Sequence, residues 1–257
     1  MPTCVECGAS VQDLYTQYSK DNIRLTSCHK CNEFADKYIE HDFVIIFIDM
    51  LLHKPQVYRH LLFNRIPQYT DGIEPQVLRF AILLILFEVY IKWFRLETYY
   101  TNYDTEFFQQ PVYYQYPYIL SLCILEFSVF HASIWLIVLS SGIVITKSWL
   151  VLLMVPLSSY NYVSMALIVS SFGKMLLILM AIWDYKQVEY SWLVSFIVLA
   201  SNTEALSVYL DIPYTHSLMI MFLGTIGKLA AKAAFLNATF KDGQQSGSSS
   251  YINWFSL

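Results

Sequence analysis

Charge is what this 257-residue chain has least of: 14% of its residues are Asp, Glu, Lys or Arg, against roughly 25% in soluble domains. With 56% hydrophobic residues and a mean hydropathy of +0.43, that scarcity excludes an ordinary soluble globule and indicates a polytopic membrane protein. Residues 1–42 lack a long apolar run, so no cleavable signal peptide is expected there. Basic excess is missing as well. The same segment carries four basic side chains (Lys20, Arg24, Lys30, Lys37) against seven acidic ones (Glu6, Asp13, Asp21, Glu33, Asp36, Glu40, Asp42), a balance of −3. Phosphate-binding modules are basic, so this balance excludes nucleic acid as a partner. H-E-x-x-H, G-x-S-x-G, Walker and G-x-G-x-x-G motifs are absent, and no internal repeat is present. The expectation is a protein that is not an enzyme.

What the chain does have is five cysteines, four of them in two C-x-x-C pairs: Cys4/Cys7 in CVECG and Cys28/Cys31 in CHKCN. Each pair sets two thiolates on one tight turn, and the 20 intervening residues suffice for a hairpin that brings the pairs together. The reading is a zinc ribbon over residues 1–34 around one structural Zn²⁺; unpaired or disulfide-bonded cysteines are the alternative. Gly8 suits the sharp turn required just after the second ligand. A ribbon of this size has almost no apolar core, so the metal supplies on the order of 10 kcal/mol of its folding free energy. A reducing compartment preserves thiolates for metal, which favours the cytosolic side. Cys123 lies in an apolar run and reads as a small packing residue.

Residues 35–66 are too interrupted by charge and proline to span a bilayer. Val44, Phe47, Ile48, Leu51 and Leu52 follow helical spacing and define one apolar stripe. Pro55 ends that helix and suits the first turn of another, in which Val57, Tyr58, Leu61 and Leu62 share a face while Arg59 and His60 point elsewhere. Two readings stand. The pair lies in the membrane surface, with Lys54, Arg59 and Arg65 meeting anionic headgroups, or its stripe packs on the ribbon as a small core.

The sequence predicts a mainly α, polytopic helical bundle over residues 77–236, followed by a flexible tail at 243–257. The first span reads as Val77 to Phe94, with Glu88 and Lys92 as a self-neutralising i, i+4 pair. Residues 97–118 carry Glu97, Asp104 and Glu106 but no Lys or Arg, which makes them lumenal and places the N-terminus in the cytosol. A second span covers about 118–140. Residues 148–183, broken by Pro156 and the SSYNY patch, read as one kinked helix or a tight hairpin of two. Spans at about 192–210 and 214–236 follow, separated by Asp211 and Pro213. Lys228, Lys232 and Lys241 gather at the end, which makes the C-terminus cytosolic and favours six spans over five.

Ionisable groups within the spans are costly and invite functional readings. Glu126 and His131 are five residues apart, about 140° around a helix, so they cannot act as an acid/base pair on one face. Lys174 and Glu204 read as an interhelical ion pair or, with Asn202, as a polar site for a lipid headgroup.

The two cysteine pairs, followed by ADKYIEHDFVIIFIDMLLHKPQVYRHLLFN from Ala35 to Asn64, closely resemble the homology domain of the Arv family. The segments SSFGKMLLILMAIWDY (170–185) and LASNTEALSVYL (199–210) extend the resemblance into the membrane part. It implies that Cys4, Cys7, Cys28 and Cys31 are the zinc ligands and that the protein resides in the endoplasmic reticulum. It also implies roles in sterol distribution, sphingolipid balance and early glycosylphosphatidylinositol (GPI) anchor assembly. Two mechanisms are open. In one the chain is a non-catalytic accessory subunit, with a complex such as the GPI N-acetylglucosaminyltransferase as partner. In the other it is a lipid transporter or flippase-like factor, with sterol or a GPI intermediate passing through its bundle.

Overall fold

The computed structural model describes residues 2–19, 22–66, 73–100, 111–140, 157–177 and 187–241. The predicted tail at 243–257, the tip of the 97–118 loop and the two ends of the 148–183 stretch lie outside them.

A hairpin comes first: β1 (Tyr15–Ser19) pairs antiparallel with β2 (Asn22–Leu25), with Tyr15 opposite Leu25 and Thr16 opposite Arg24. It lies between two short bridges, Thr3 with Ser10 and Ser27 with Phe34, each enclosing one cysteine turn. A 3₁₀ turn (Lys37–Ile39) leads into α1 (Phe43–Leu51) and α2 (Pro55–Arg59). Pro55 occupies the first turn of α2, where its missing N–H costs nothing. His53, in the joint between them, adopts the left-handed region at φ 53°, an uncommon conformation for a side-chain-bearing residue. It is held by polar contacts to the bundle: its Nε2 lies 3.1 Å from Ser201 Oγ and 3.3 Å from the Ile197 carbonyl.

Four long helices and one helix extended by a 3₁₀ segment make up the rest of the described residues. They are α3 (Pro75–Tyr100), α4 (Val112–Ser140), α5 (Leu157–Ser170, continued as 3₁₀ to Leu176), α6 (Gln187–Leu210) and α7 (Tyr214–Lys241). Among the described residues three helices are long and apolar enough to cross a membrane: Val112–Ser140, Trp192–Leu210 and Tyr214–Asn237. Their outward faces are apolar, as in the Leu218, Met219, Phe222 and Leu223 row of α7, which suits lipid contact. The segment expected to be the first span is a 26-residue helix, about 39 Å long. Arg79, Glu88 and Lys92 nonetheless keep it outside that apolar class.

Helices α4 and α7 approach closely because α7 carries glycines at the contact. A Cβ on Gly224 would stand 2.8 Å from Ile134 Cγ1, and one on Gly227 would stand 2.5 Å from Ser133 Oγ. Small residues at a crossing let two backbones meet where dispersion contacts hold membrane helices together.

The main core is shared between the N-terminal module and the bundle. Val5, Tyr38, Ile46, Met50, Val57, Tyr58 and Leu62 are buried in one cluster with Ala81 and Leu84 of α3, Ala166 and Phe172 of the α5 rod and Ala205 of α6. Phe47 meets Phe172 edge to face at 5.6 Å, and Phe63 stacks on Tyr209 at 5.9 Å. The sequence stripe is thus divided. Phe47 and Leu51 pack on this core, while Val44, Ile48 and Leu52, joined by Phe43 and Ile45, form an outward apolar ridge. On α2, Val57 and Tyr58 are buried against the protein, not laid on a surface. Only the side of α1 that meets the bundle is covered, which is why one stripe is divided between core and exposed ridge.

Candidate functional site

The four cysteines converge. Their Sγ atoms all lie within 4.8 Å of one another, with Cys4 to Cys31 and Cys7 to Cys28 both at 3.7 Å. Ligands bound at about 2.3 Å in a tetrahedron sit about 3.8 Å apart, so the thiols fit a four-coordinate soft cation. Among the described residues this is the one such group of metal-ligating side chains.

Both pairs reach that geometry by the same turn. Cys4 accepts from the Gly8 N–H at 3.0 Å and Cys28 from the Asn32 N–H at 2.9 Å. Gly8 and Asn32, each directly after the second cysteine of a pair, take left-handed φ values of 73° and 62°. Glycine does so freely, and asparagine is among the residues that tolerate it best. The sequence showed the role of Gly8; the matching Asn32 was equally visible in CHKCN and is recognised from the structure. Burial pushes the Cys4 thiol up to about 12, whereas the backbone N–H groups of Cys31 and Lys30 draw Cys28 down to about 6.

A polar platform fastens the cysteine module to the helices beneath it. The Arg59 guanidinium donates to the carbonyls of Val5 (2.8 Å) and Glu6 (2.9 Å), both inside the first turn. The Glu6 carboxylate accepts from Lys37 (2.8 Å) and Gln56 (3.1 Å), and the Lys37 ammonium holds its carboxyl below the usual range. Asp36, fully buried, accepts from the Tyr38 N–H (3.0 Å), His60 Nδ1 (2.7 Å) and Asn64 Nδ2 (2.7 Å). Asn64 also pairs with the backbone of Thr3, accepting at 2.8 Å and donating at 2.9 Å. Between Arg59 and these groups the helix runs as a π turn over His60–Arg65, which sets both His60 and Asn64 against Asp36. Farther along, Asp49 accepts from Tyr38 Oη (2.9 Å) and Lys54 (2.7 Å).

The residues read from sequence as a lipid site are dispersed. Arg59 is committed to the cysteine module, Lys54 pairs with Asp49 while staying half-exposed, and Arg65 is exposed. Asn202 accepts from Ser170 at 2.5 Å and Ser171 at 3.2 Å. Glu204 accepts from Tyr214 at 3.1 Å. Lys174 is directed at Glu88 at 2.9 Å, and not at Glu204. The expected Glu88–Lys92 pair exists at 3.5 Å, yet Lys92 lies closer to Glu126, at 2.8 Å. Lys228 completes the group, 3.1 Å from Glu126 and 3.4 Å from Glu88. His131 Nδ1 donates to the Phe127 carbonyl at 2.9 Å, well apart in role from Glu126.

A helical bundle with lipid-grade helices, capped by a four-cysteine module bolted to it, defines a membrane protein with an N-terminal head whose clustered thiols could hold a metal. The Arv1-like family profile matches residues 3–206, and the chain belongs to that family. It is 40% identical over 235 residues to the Protein arv1 homolog of Dictyostelium discoideum, covering 88% of this chain and 92% of that protein. It is 41% identical over 213 residues to Protein arv1 of Schizosaccharomyces pombe (80% and 74%) and 30% identical over 230 residues to Protein ARV1 of Homo sapiens (87% and 78%). No solved structure matches. As a family member the chain is a non-catalytic factor of lipid homeostasis and the GPI-anchor pathway.

Proposed function

We propose that the chain acts as an accessory subunit of a lipid-modifying complex in the endoplasmic-reticulum membrane, with its cysteine head as the docking element. The GPI N-acetylglucosaminyltransferase is the partner the family role favours, and sterol distribution and sphingolipid balance follow from the same assembly. One observation carries the reading. The head presents an open groove in which Tyr18, Ile23, Leu25 and Phe34 alternate with polar Arg24, Thr26 and Glu40, and Tyr18 and Phe34 are 67% and 54% exposed. Aromatic side chains left in water on a rigid surface are characteristic of protein interfaces. The platform keeps that groove in one orientation relative to the membrane.

In this reading the four thiolates hold one structural Zn²⁺, and the head is a zinc ribbon spanning residues 1–34. The outward ridge of α1 enters the membrane interface, with Lys54 and Arg65 at headgroup level. The N-terminus faces the cytosol and the bundle crosses six times. The second reading, lipid passage through the bundle, is favoured by the ionisable groups that meet between α3, α4, the 3₁₀ segment and α7.

The test is mass spectrometry of proteins and lipids that co-purify with the tagged full-length chain, beside its Cys4→Ser and Tyr18→Ala/Phe34→Ala variants. Glycosyltransferase subunits recovered with the wild type and lost from both variants support docking through the head. Undiminished recovery with both variants overturns it.

A further inference from the structure

Midway along three helices, Glu88 and Lys92 of α3, Glu126 of α4 and Lys228 of α7 meet Lys174 of the 3₁₀ segment, at separations between 2.8 and 3.5 Å. Lys232, one turn beyond Lys228 on the same face, is 8% exposed and within electrostatic reach of Glu126. It has no ion-pair partner among the described residues. Among the described residues four lysines therefore share two carboxylates, and Arg95 of α3 is also within electrostatic reach of Glu88. A network whose only task was to lock helices together would balance its charges, because a surplus cation is costly to keep out of water. Among the described residues these four lysines exceed the two carboxylates by +2.

Two further features show a place for a ligand. The side chains of Lys174 and Lys228 remain 28% and 30% exposed, whereas Glu126 is closed off at 3%. The cations of this group are thus the more exposed members and Glu126 the more enclosed one. His131, 7% exposed and within electrostatic reach of Lys174, has a buried Nε2 with no hydrogen-bond partner among the described residues. With Nδ1–H given to Phe127, Nε2 is an acceptor suited to a hydroxyl beside an anion.

We propose that Lys174, Lys228 and Lys232 bind the phosphate of an anionic lipid headgroup inside the bundle, held by charge-assisted hydrogen bonds in a low-dielectric setting. The position, at mid-depth between helices, is where membrane transporters place their substrates. The site stands apart from the docking role of the head, so either can fail without the other.

Native mass spectrometry of the full-length chain in mild detergent tests it, with phosphatidic acid and phosphatidylcholine as probes. Wild type should retain one phosphatidic acid per chain at least tenfold more strongly than phosphatidylcholine, whose choline cation leaves the headgroup with no net charge. Lys232→Gln, which leaves every ion pair above in place, should weaken retention about tenfold, and Lys232→Arg should restore it. Lys54→Gln/Arg65→Gln should leave it unchanged. Equal retention of both lipids, or no effect of Lys232→Gln, would overturn the proposal. Loss of retention only in the Lys54/Arg65 variant would do so by placing the lipid on the surface. Displacement of the lipid by millimolar inorganic phosphate would show a soluble-anion site instead.

Discussion

Arg59 donates to the Glu6 carbonyl at 2.9 Å, so a side chain from α2 closes on the backbone between the first two cysteines. The same nitrogen reaches the Val5 carbonyl at 2.8 Å. Cysteine turn and helix are therefore one unit, and the orientation of the head depends on a planar, always-charged fork that lysine does not reproduce.

Replacing Arg59 by Met should leave the four thiols able to bind metal but loosen the head, at a cost of about 1.5–3 kcal/mol for the charged hydrogen bonds. Amide hydrogen exchange of residues 2–11 should quicken relative to wild type while zinc content stays at one per chain. Unchanged exchange would show that Gln56, Lys37 and Asn64 alone hold the head.

Cys28→Ser removes one ligand from a module with little apolar core of its own. If the four thiolates hold the proposed Zn²⁺, binding free energy of the metal is folding free energy, on the order of 10 kcal/mol, and the head should lose both its zinc and its protease resistance. Metal analysis and limited proteolysis on the purified full-length chain check this. A protein that kept full zinc and a resistant N-terminus would exclude a four-thiolate site.

The contact of α1 with the 3₁₀ turn should weaken in acid. Burial works against the charge of Asp49, but the donors Lys54 and Tyr38 outweigh it and leave its carboxyl below the usual range. A depressed carboxylate contributes stability that is complete above its unfolded value, near 4, and is lost as pH falls through the lower folded one. Thermal unfolding between about pH 5 and 3 should therefore fall less steeply in Asp49→Asn than in wild type. Parallel curves would remove Asp49 from that dependence.

Gly224→Ala places a Cβ 2.8 Å from Ile134 Cγ1, and the β-branched side chain has little freedom to turn away. The expected loss is about 1–3 kcal/mol, read as a lower melting temperature in detergent. Ile134→Ala combined with it should recover part of that loss. If the single variant melts like wild type, α4 and α7 are not pressed together at this point.

Local features were legible in the sequence because they depend on neighbours along the chain. Two C-x-x-C turns with Gly8, the Pro55 break between α1 and α2, and the α6 and α7 segments separated by Asp211 and Pro213 all follow from backbone preference and hydropathy. What only the tertiary structure decided is who meets whom across it. Helical spacing shows that Glu88 faces Lys92, but it contains nothing about Lys174 or Lys228, which are 86 and 140 residues away. The hydrogen-bonding of Asp36 by His60 and Asn64 was equally hidden, since a polar residue in an amphipathic run looks solvated until a partner covers it. Likewise the stripe on α1 showed that a face must leave water, while the packing of Phe47 on Phe172 determined which half goes into protein and which half is left outward. Periodicity records how apolar a face is; only the fold supplies the surface against which it is buried.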